Sequence, residues 1–131
     1  MKGPQDILLA NAEFYRAFAE GDAAAMERIW AAEAPLACIH PGWRALIGRE
    51  AVLKSWRQIL EDPPPIVCEG ERVFYWGKAT VVLCEEVIGE SRLAATNVFV
   101  EEEGHFRLVH HQATPVALPG GAGEMPSRGL H

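Results

Sequence analysis

The stretch Ile59-Leu60-Glu61-Asp62-Pro63-Pro64-Pro65-Ile66-Val67 divides the chain into two kinds of sequence. Before it, apolar residues recur at spacings of three, four and seven, which is the period of a helix with one buried face. Three consecutive prolines cannot continue a helix. After them, apolar and polar residues alternate, and many are β-branched or aromatic, as in strands. Helices followed by strands predict an α+β fold.

The same patterns predict the individual elements on each side of this stretch. The predicted helices cover residues 4–20, a short segment after Asp22, and 49–61. Two short strands are expected between the helices, at 36–40 and 43–47. Four long strands follow, at 66–75, 79–90, 93–102 and 105–115. Because tight turns join the long strands, the sheet should be mainly antiparallel and curved, with the three helices packed on it.

Composition favours one ordered domain and excludes some partners. The chain has 131 residues, of which 49% are hydrophobic, and this suffices for a single core. We predict a domain over residues 1–118 and, because 119–131 lacks periodicity, a mobile tail there. The net charge of −6 argues against nucleic acid and against an anionic membrane as partners. No membrane span or signal peptide is expected, and three cysteines without a C-x-x-C pair favour reduced thiols in the cytoplasm.

Three segments together resemble the nuclear transport factor 2-like superfamily and, within it, the SnoaL-like proteins. The first is the helix–Gly-Asp–helix opening, residues 14–22. The second is Cys38-Ile39-His40-Pro41-Gly42-Trp43, followed by Gly48-Arg49-Glu50-Ala51-Val52 and Trp56. The third is Ala95-Thr96-Asn97-Val98-Phe99, with Val109-His110-His111-Gln112-Ala113-Thr114-Pro115 at its end.

The resemblance covers about residues 5–116 and implies a cone-shaped α+β barrel with a pocket at its wide end. The family includes ketosteroid isomerases, dehydratases, polyketide cyclases and proteins without a known activity. Membership therefore implies the fold more firmly than the reaction. Many members dimerise through the convex face of the sheet, so a homodimer of that kind is expected here.

Two polar positions carry the chemistry that the resemblance implies. His40 matches the position of the general-base carboxylate of the steroid isomerases, and a histidine can move protons near neutral pH. The alternative is a structural histidine that hydrogen-bonds a loop carbonyl. Asn97 matches the isomerases' oxyanion donor, and an amide N–H can donate to a carbonyl oxygen without titrating. Its alternative is an amide that satisfies a neighbouring polar group.

Apolar and aromatic residues are expected to form the wall of the pocket. Trp56 belongs to the third helix, Trp43 follows the Pro41-Gly42 turn, and Phe99 shares the strand face of Asn97. Tyr15 lies near the isomerases' catalytic tyrosine, but Phe14 matches that position better when counted back from Gly21. Tyr15 is therefore expected to line the pocket rather than to act as a catalyst.

Two pairs of consecutive residues must divide between the faces of the sheet. We favour His111 as facing the pocket with Val109 and Ala113, and His110 as facing outward, unless a strand irregularity exchanges them. For Glu85 and Glu86 the sequence does not decide which carboxylate faces inward. No metal is expected, because the histidines lack the spacing of known metal motifs.

Two functions remain open on the sequence. One is a small-molecule enzyme or binder that acts without a cofactor on an apolar carbonyl compound, by isomerisation, dehydration or cyclisation, with His40 as base. The other is a non-catalytic dimeric module that binds a ligand or another protein. An open pocket beside His40 would favour the first, and a pocket filled by Trp43 or Trp56 would favour the second.

Overall fold

The computed structural model describes residues 3–117, and the predicted tail, 119–131, lies outside them. The helices are α1 (Pro4–Glu20), α2 (Ala23–Ile29) and α3 (Arg49–Ile59). The strands are β1 (Ala37–Ile39), β2 (Leu46–Ile47), β3 (Ile66–Trp76), β4 (Ala79–Ile88), β5 (Ser91–Glu102) and β6 (His105–Pro115). The predicted α+β class, with three helices on a mainly antiparallel sheet, is confirmed.

Local sequence signals set the ends of the first two helices. The Asp6 carboxylate accepts a hydrogen bond from the Gly3 N–H at 2.9 Å, which caps the start of α1. Gly21 ends α1 in the left-handed region, with φ of 68°. Asp22 then caps α2, because its Oδ1 accepts from the Ala25 N–H at 3.1 Å.

The six strands form one sheet in the order β2-β1-β6-β5-β4-β3. All neighbours are antiparallel except β1 and β6, which run parallel. The predicted strand at 43–47 is shorter than expected, since only Leu46 and Ile47 pair with β1. The Trp43 N–H instead bonds to the His40 carbonyl at 2.9 Å, so Trp43 belongs to a turn.

The core lies between the helices and one face of the sheet. Aromatic rings dominate it: Trp56 of α3 packs edge-on against Phe14 and Phe18 of α1, with centroids 5.5 and 4.8 Å apart. All three are at most 7% exposed. This packing joins α1 to α3, which lies over β1 and β2, and it surrounds the polar groups described below.

Among residues 3–117, none of the helices has the length and apolar character required to cross a membrane.

The left-handed turn at Gly21 predicts a specific sensitivity. A Cβ at this position would lie 2.9 Å from the Leu60 carbonyl oxygen, whereas a Cβ at Gly77, whose φ is 67°, would meet nothing within 4 Å. Gly77→Ala should therefore cost only the backbone term of about 1–2 kcal/mol. Gly21→Ala should cost about 1–3 kcal/mol more, because the helix–loop contact must also shift. Equal losses in urea denaturation would contradict this difference.

Candidate functional site

Five polar side chains meet inside the protein, between α1 and the sheet. Each is at most 5% exposed: Asn11, Tyr15, Glu86, Asn97 and His111. We call this set the interior cluster. Asn11 and Tyr15 lie four residues apart and so share the sheet-facing side of α1. The other three come from β4, β5 and β6, where Asn97 and His111 are directly paired.

A β-bulge decides which histidine of β6 belongs to the cluster. The register between β5 and β6 shifts between Val98 and Phe99, so that Phe99 pairs with Leu108 and Val98 with His110. Val109 is the extra residue of the bulge. As a result Leu108, 0% exposed, and His111, 1% exposed, both face the interior although they are three residues apart. The fully buried residue that precedes His111 on β6 is therefore Leu108, while Val109 is partly buried and also packs against the core.

Glu86 is the carboxyl group of the interior cluster. Its Oε2 accepts a hydrogen bond from the Tyr15 hydroxyl at 2.7 Å and lies 3.6 Å from Nε2 of His111. Burial raises the pKa of Glu86 to about 7, and the Tyr15 hydrogen bond opposes this only in part. Burial and the nearby Glu86 raise the pKa of Tyr15 well above its ordinary value, so Tyr15 stays a donor.

Asn97 connects the remaining members of the cluster. Its Nδ2 donates to Oδ1 of Asn11 at 2.9 Å and to the hydroxyl of Tyr15 at 3.1 Å. Its Oδ1 lies 2.6 Å from Nδ1 of His111. Both amide hydrogens of Asn97 are therefore used inside the protein, which leaves none for the oxyanion role that the sequence predicted.

His40 lies in a second, adjacent group. Its Nε2 is 2.9 Å from Oγ of Ser55, and that hydroxyl donates its own hydrogen to the Val52 carbonyl at 2.7 Å. Nε2 of His40 is therefore the donor, and its lone pair is on Nδ1. His40 is 3% exposed, and burial lowers its pKa to about 4.

Two tryptophans enclose His40 and separate it from the interior cluster. Trp43 packs edge-on against the imidazole, with ring centroids 4.8 Å apart, and is itself 45% exposed. Trp56, 1% exposed, contacts His40 at 4.9 Å and His111 at 5.7 Å between centroids. Burial lowers the pKa of His111 to about 3, with smaller contributions from His40 and His110. Both buried imidazoles are neutral at pH 7.

The structure brings together most of the residues singled out from the sequence. Those that lie buried around the interior are His40, Asn97, Tyr15, Trp56, Phe99 and His111. Trp43 lies at the surface over His40. Sequence reasoning did not single out Asn11 or Ser55. The signal for Asn11 was available, because it is a polar residue on the apolar stripe of α1, four residues after Ile7.

The structure also decides between the two glutamates of β4. Glu85 faces outward and accepts from Arg92 at 2.9 Å, and Arg92 also donates to Glu69 at 3.2 Å. Glu86 faces the interior, 2% exposed, and within residues 3–117 no lysine or arginine pairs with it. The outer carboxylate is thus neutralised by a partner and the inner one by its own proton.

A surface cleft of about 280 Å³ lies on the other side of α1, next to the β5–β6 hairpin. Its lining is partly apolar and partly charged: Asp6, Leu9, Ala10, Glu13, Ile29, Phe99, His105, Phe106 and Arg107. Of the predicted pocket residues it includes Phe99 alone. In the part of the chain that the structure describes, no three His, Cys, Asp or Glu side chains group as metal ligands would.

Known proteins share the sequence pattern and the fold of this chain. The family model of the SnoaL-like domain matches residues 7–118. A protein of the NTF2-like family from Streptomyces avermitilis, provisionally named a dehydratase, is 28% identical, with a TM-score of 0.79. The alignment covers 87% of this chain and 96% of that one. No curated protein matches the chain.

Two further solved structures show the same fold. One is from Thiobacillus denitrificans and is provisionally named an association domain of calcium/calmodulin-dependent protein kinase type II. It is 26% identical, covers 82% of this chain and 92% of its own, and has a TM-score of 0.72. The other is an uncharacterised cystatin-like protein from Caulobacter vibrioides, 14% identical, with coverage of 95% and 96% and a TM-score of 0.76.

The raised pKa of Glu86 predicts how stability depends on pH. The unfolded carboxyl titrates near 4.5, whereas the folded one keeps its proton up to about pH 7. The folded state therefore binds more protons between these values, and this contribution, complete below pH 4.5, is lost as the pH rises through 7.

Glu86→Gln cannot ionise, so its free energy of unfolding should rise by about 2.5 kcal/mol relative to that of the wild type between pH 5 and pH 8. Urea denaturation of both proteins at several pH values measures this difference in the free energy of unfolding. The histidines titrate in both proteins, so their contribution cancels in the difference. Glu85→Gln is the matched control, because its carboxylate lies on the outer face, and it should show no such trend. A difference between Glu86→Gln and wild type that stays constant with pH would contradict the assignment.

Proposed function

The chain belongs to the SnoaL-like domain family, and we propose that its interior binds a small apolar carbonyl compound and moves a proton on it without a cofactor. The observation that carries this is Glu86: a carboxyl group 2% exposed, hydrogen-bonded by Tyr15 at 2.7 Å and without a cationic partner among the described residues. Burying such a group is costly, and acids with strongly shifted pKa values concentrate at catalytic sites.

Glu86 suits the general-base role better than His40 does. A catalyst that both accepts and returns a proton works best with a pKa near the working pH, and that of Glu86 is about 7. The pKa of His40 is about 4, so its imidazole is a weak base. We therefore assign the proton transfer to Glu86 and give His40 a place in the wall of the binding site.

The surrounding groups supply hydrogen-bond donors for a carbonyl oxygen. Tyr15 remains protonated, and its single hydrogen, which it donates to the Glu86 carboxyl, would pass to a carbonyl oxygen only when the substrate replaces that bond. The indole N–H of Trp56, next to His40, finds no hydrogen-bond partner among the described residues. A buried donor of this kind is costly unless a ligand accepts from it. Stabilising the enolate oxygen in this way is the usual requirement of proton abstraction beside a carbonyl.

One base and neutral hydrogen-bond donors suit proton transfer at a carbon next to a carbonyl group. Glu86 takes a proton from the carbon next to the carbonyl, and the electron pair of that C–H bond forms the enolate. Return of the proton at another carbon gives an isomer. If the enolate instead expels a hydroxyl from the neighbouring carbon, that hydroxyl takes the proton held by Glu86 and leaves as water, which gives a dehydration product. Neither outcome needs an oxidant or reductant. The provisional dehydratase name of the Streptomyces avermitilis protein is in accord with this class.

Access to the interior requires a movement at the surface. Glu86, Asn97 and His111 are at most 2% exposed. Trp43 is the exposed ring over this region, and it stands in a turn whose residues 41–45 are all exposed. We therefore place the entrance at the Trp43 turn, where displacement of one ring uncovers His40 and the edge of Trp56.

A second candidate function is a non-catalytic module, and the position of Trp56 favours it. Its ring fills the space between the two imidazoles and also packs on Phe14 and Phe18, so the volume next to His40 is occupied. In that case the interior cluster stabilises the fold, and the function belongs to the surface. Ligand binding separates the two candidates.

We also propose a homodimer through the convex face of the sheet. Phe74 and Trp76 contact each other at one end of this face, with their rings tilted by 41° and their centroids 5.8 Å apart, and Trp76 is 62% exposed. Leu83 pairs with Arg72 and Thr96 on neighbouring strands and lies at the middle of the same face. The Glu85–Arg92–Glu69 ion pairs stand on this face as well, as a polar rim would.

Ligand binding and proton exchange test the catalytic proposal. We expect some members of a panel of small cyclic ketones to raise the melting temperature, because a ligand of the native state stabilises it by mass action. In D₂O, the protein should exchange the α-hydrogens of those ketones, as followed by proton NMR. Glu86→Gln should lose at least about 10²-fold of this rate, and Glu85→Gln should retain it. A panel without any thermal shift would favour the non-catalytic module.

Light scattering with size-exclusion chromatography tests the dimer. Wild-type protein should have twice the chain mass, and Leu83→Glu should shift it to the monomer, because a carboxylate would replace an apolar side chain in the interface and lose its solvation there. Ile47→Glu, an exposed position on β2 at 71%, is the control and should stay dimeric. A monomeric wild type would reject the interface.

A further inference from the structure

The hydrogen bonds of Asn97 determine which nitrogen of His111 carries a proton. Nδ2 of Asn97 has two hydrogens, and two acceptors take them: Oδ1 of Asn11 at 2.9 Å and the Tyr15 oxygen at 3.1 Å. The remaining polar atom of the amide is its carbonyl oxygen, 2.6 Å from Nδ1 of His111. Since a carbonyl oxygen only accepts, Nδ1 must be the donor.

This arrangement leaves the other nitrogen of His111 with a lone pair. A neutral imidazole carries one hydrogen, so Nε2 is a proton acceptor, and it lies 3.6 Å from Oε2 of Glu86. If Glu86 is ionised, two lone pairs face each other inside the protein, which is unfavourable at low dielectric. A proton on Glu86 removes this repulsion, although the 3.6 Å separation is longer than a hydrogen bond and the interaction is electrostatic.

We propose that Asn97 is a positioning residue that holds His111 in the Nδ1–H tautomer, so that the lone pair of Nε2 faces Glu86 and favours the protonated carboxyl. This deepens the proposed function and rests on it in one respect: the ionised form of Glu86, which this lone pair makes more basic, would be the form that acts on substrate. When ionised Glu86 takes a proton from carbon, the negative charge passes to the enolate and the repulsion from Nε2 ends. When the proton returns to the other carbon, Glu86 is ionised again.

The side chains around Glu86 and His111 decide whether another charge acts on the pair. Glu86 and His111 are faced by Tyr15 and Asn11 from α1, Cys84 from β4, Cys68 from β3 and Asn97 from β5. His40 lies beyond Trp56 and is neutral, and His110 lies on the opposite face of β6. Within residues 3–117, none of these neighbours is a lysine or arginine that would hold Glu86 ionised.

Nitrogen NMR of the imidazole rings tests the proposal directly. In two-bond ¹H–¹⁵N spectra of uniformly labelled protein at pH 7, with His111 assigned by its absence in His111→Gln, Nδ1 should have the shift of a protonated nitrogen and Nε2 that of a bare one. Asn97→Ala removes the acceptor, so His111 should change to the Nε2–H tautomer and donate to Glu86. Thr96→Ala, on the other face of β5, is the control and should leave the tautomer unchanged.

Three results would overturn the proposal: a wild-type Nε2–H tautomer, a doubly protonated ring at pH 7, or an unchanged tautomer in folded Asn97→Ala. Should Asn97→Ala fail to fold, a pH series on the wild type decides. Between pH 5.5 and 8.5 the chemical shift of Nε2 should move as Glu86 loses its proton, while Nδ1 stays protonated. A constant Nε2 shift would reject the interaction between Nε2 and the Glu86 carboxyl. If the protein does not exchange the ketone hydrogens but His111 has the Nδ1–H tautomer, the proposed function is rejected and the assignment of the tautomer stands.

Discussion

The hydrogen bond from the Tyr15 hydroxyl to the Glu86 carboxyl connects α1 to β4, and the interior is arranged around it. Its length is 2.7 Å, and both side chains are at most 5% exposed. A buried carboxyl without a partner would cost several kcal/mol, so this contact constrains how α1 can sit on β4. Asn11, one helical turn before Tyr15, must then face Asn97, and Asn97 in turn orients His111. Each member of the cluster is satisfied because the previous one is in place.

The interior is polar but almost without charge. Burial lowers the pKa of both His40 and His111 below 5 and raises that of Glu86 to about 7, so each group tends toward its neutral form. A network of neutral groups avoids the desolvation cost of buried ion pairs and still contains a proton that can move. On the outer face of the same strand, Glu85 meets the opposite solution, a solvent-exposed ion pair with Arg92. Two adjacent residues of one type thus have different chemistry because they face different surroundings.

Trp43 and Trp56 affect both the packing of the helical layer and the access of a ligand to the interior. Trp56 packs on both imidazoles and on two phenylalanines of α1, and this gives the helical layer its density. Trp43 covers His40 from an exposed turn and contributes less to the core, since it is 45% exposed. A binding site that reaches Glu86 would therefore depend on the movement of both rings, because Trp56 lies between His40 and the interior cluster. The same packing suits a protein whose interior has only a structural role, which is why binding is the informative property.

The sequence by itself determined the elements of this protein and their order. Helical and alternating periods, Gly21, Asp22 and the three prolines are local signals, and local signals place boundaries well because they act within one or two turns of chain. The resemblance to the SnoaL-like proteins singled out His40 and Asn97, and strand alternation favoured His111. What only the tertiary structure decided is the phase of the long strands. Alternation states that Glu85 and Glu86, or His110 and His111, face opposite ways, but the bulge of Val109 and the packing of α1 choose which one faces inward. The tertiary structure likewise decided that both amide hydrogens of Asn97 are taken, because Asn11 and Tyr15 are 86 and 82 residues away in sequence and come within reach only when the chain folds.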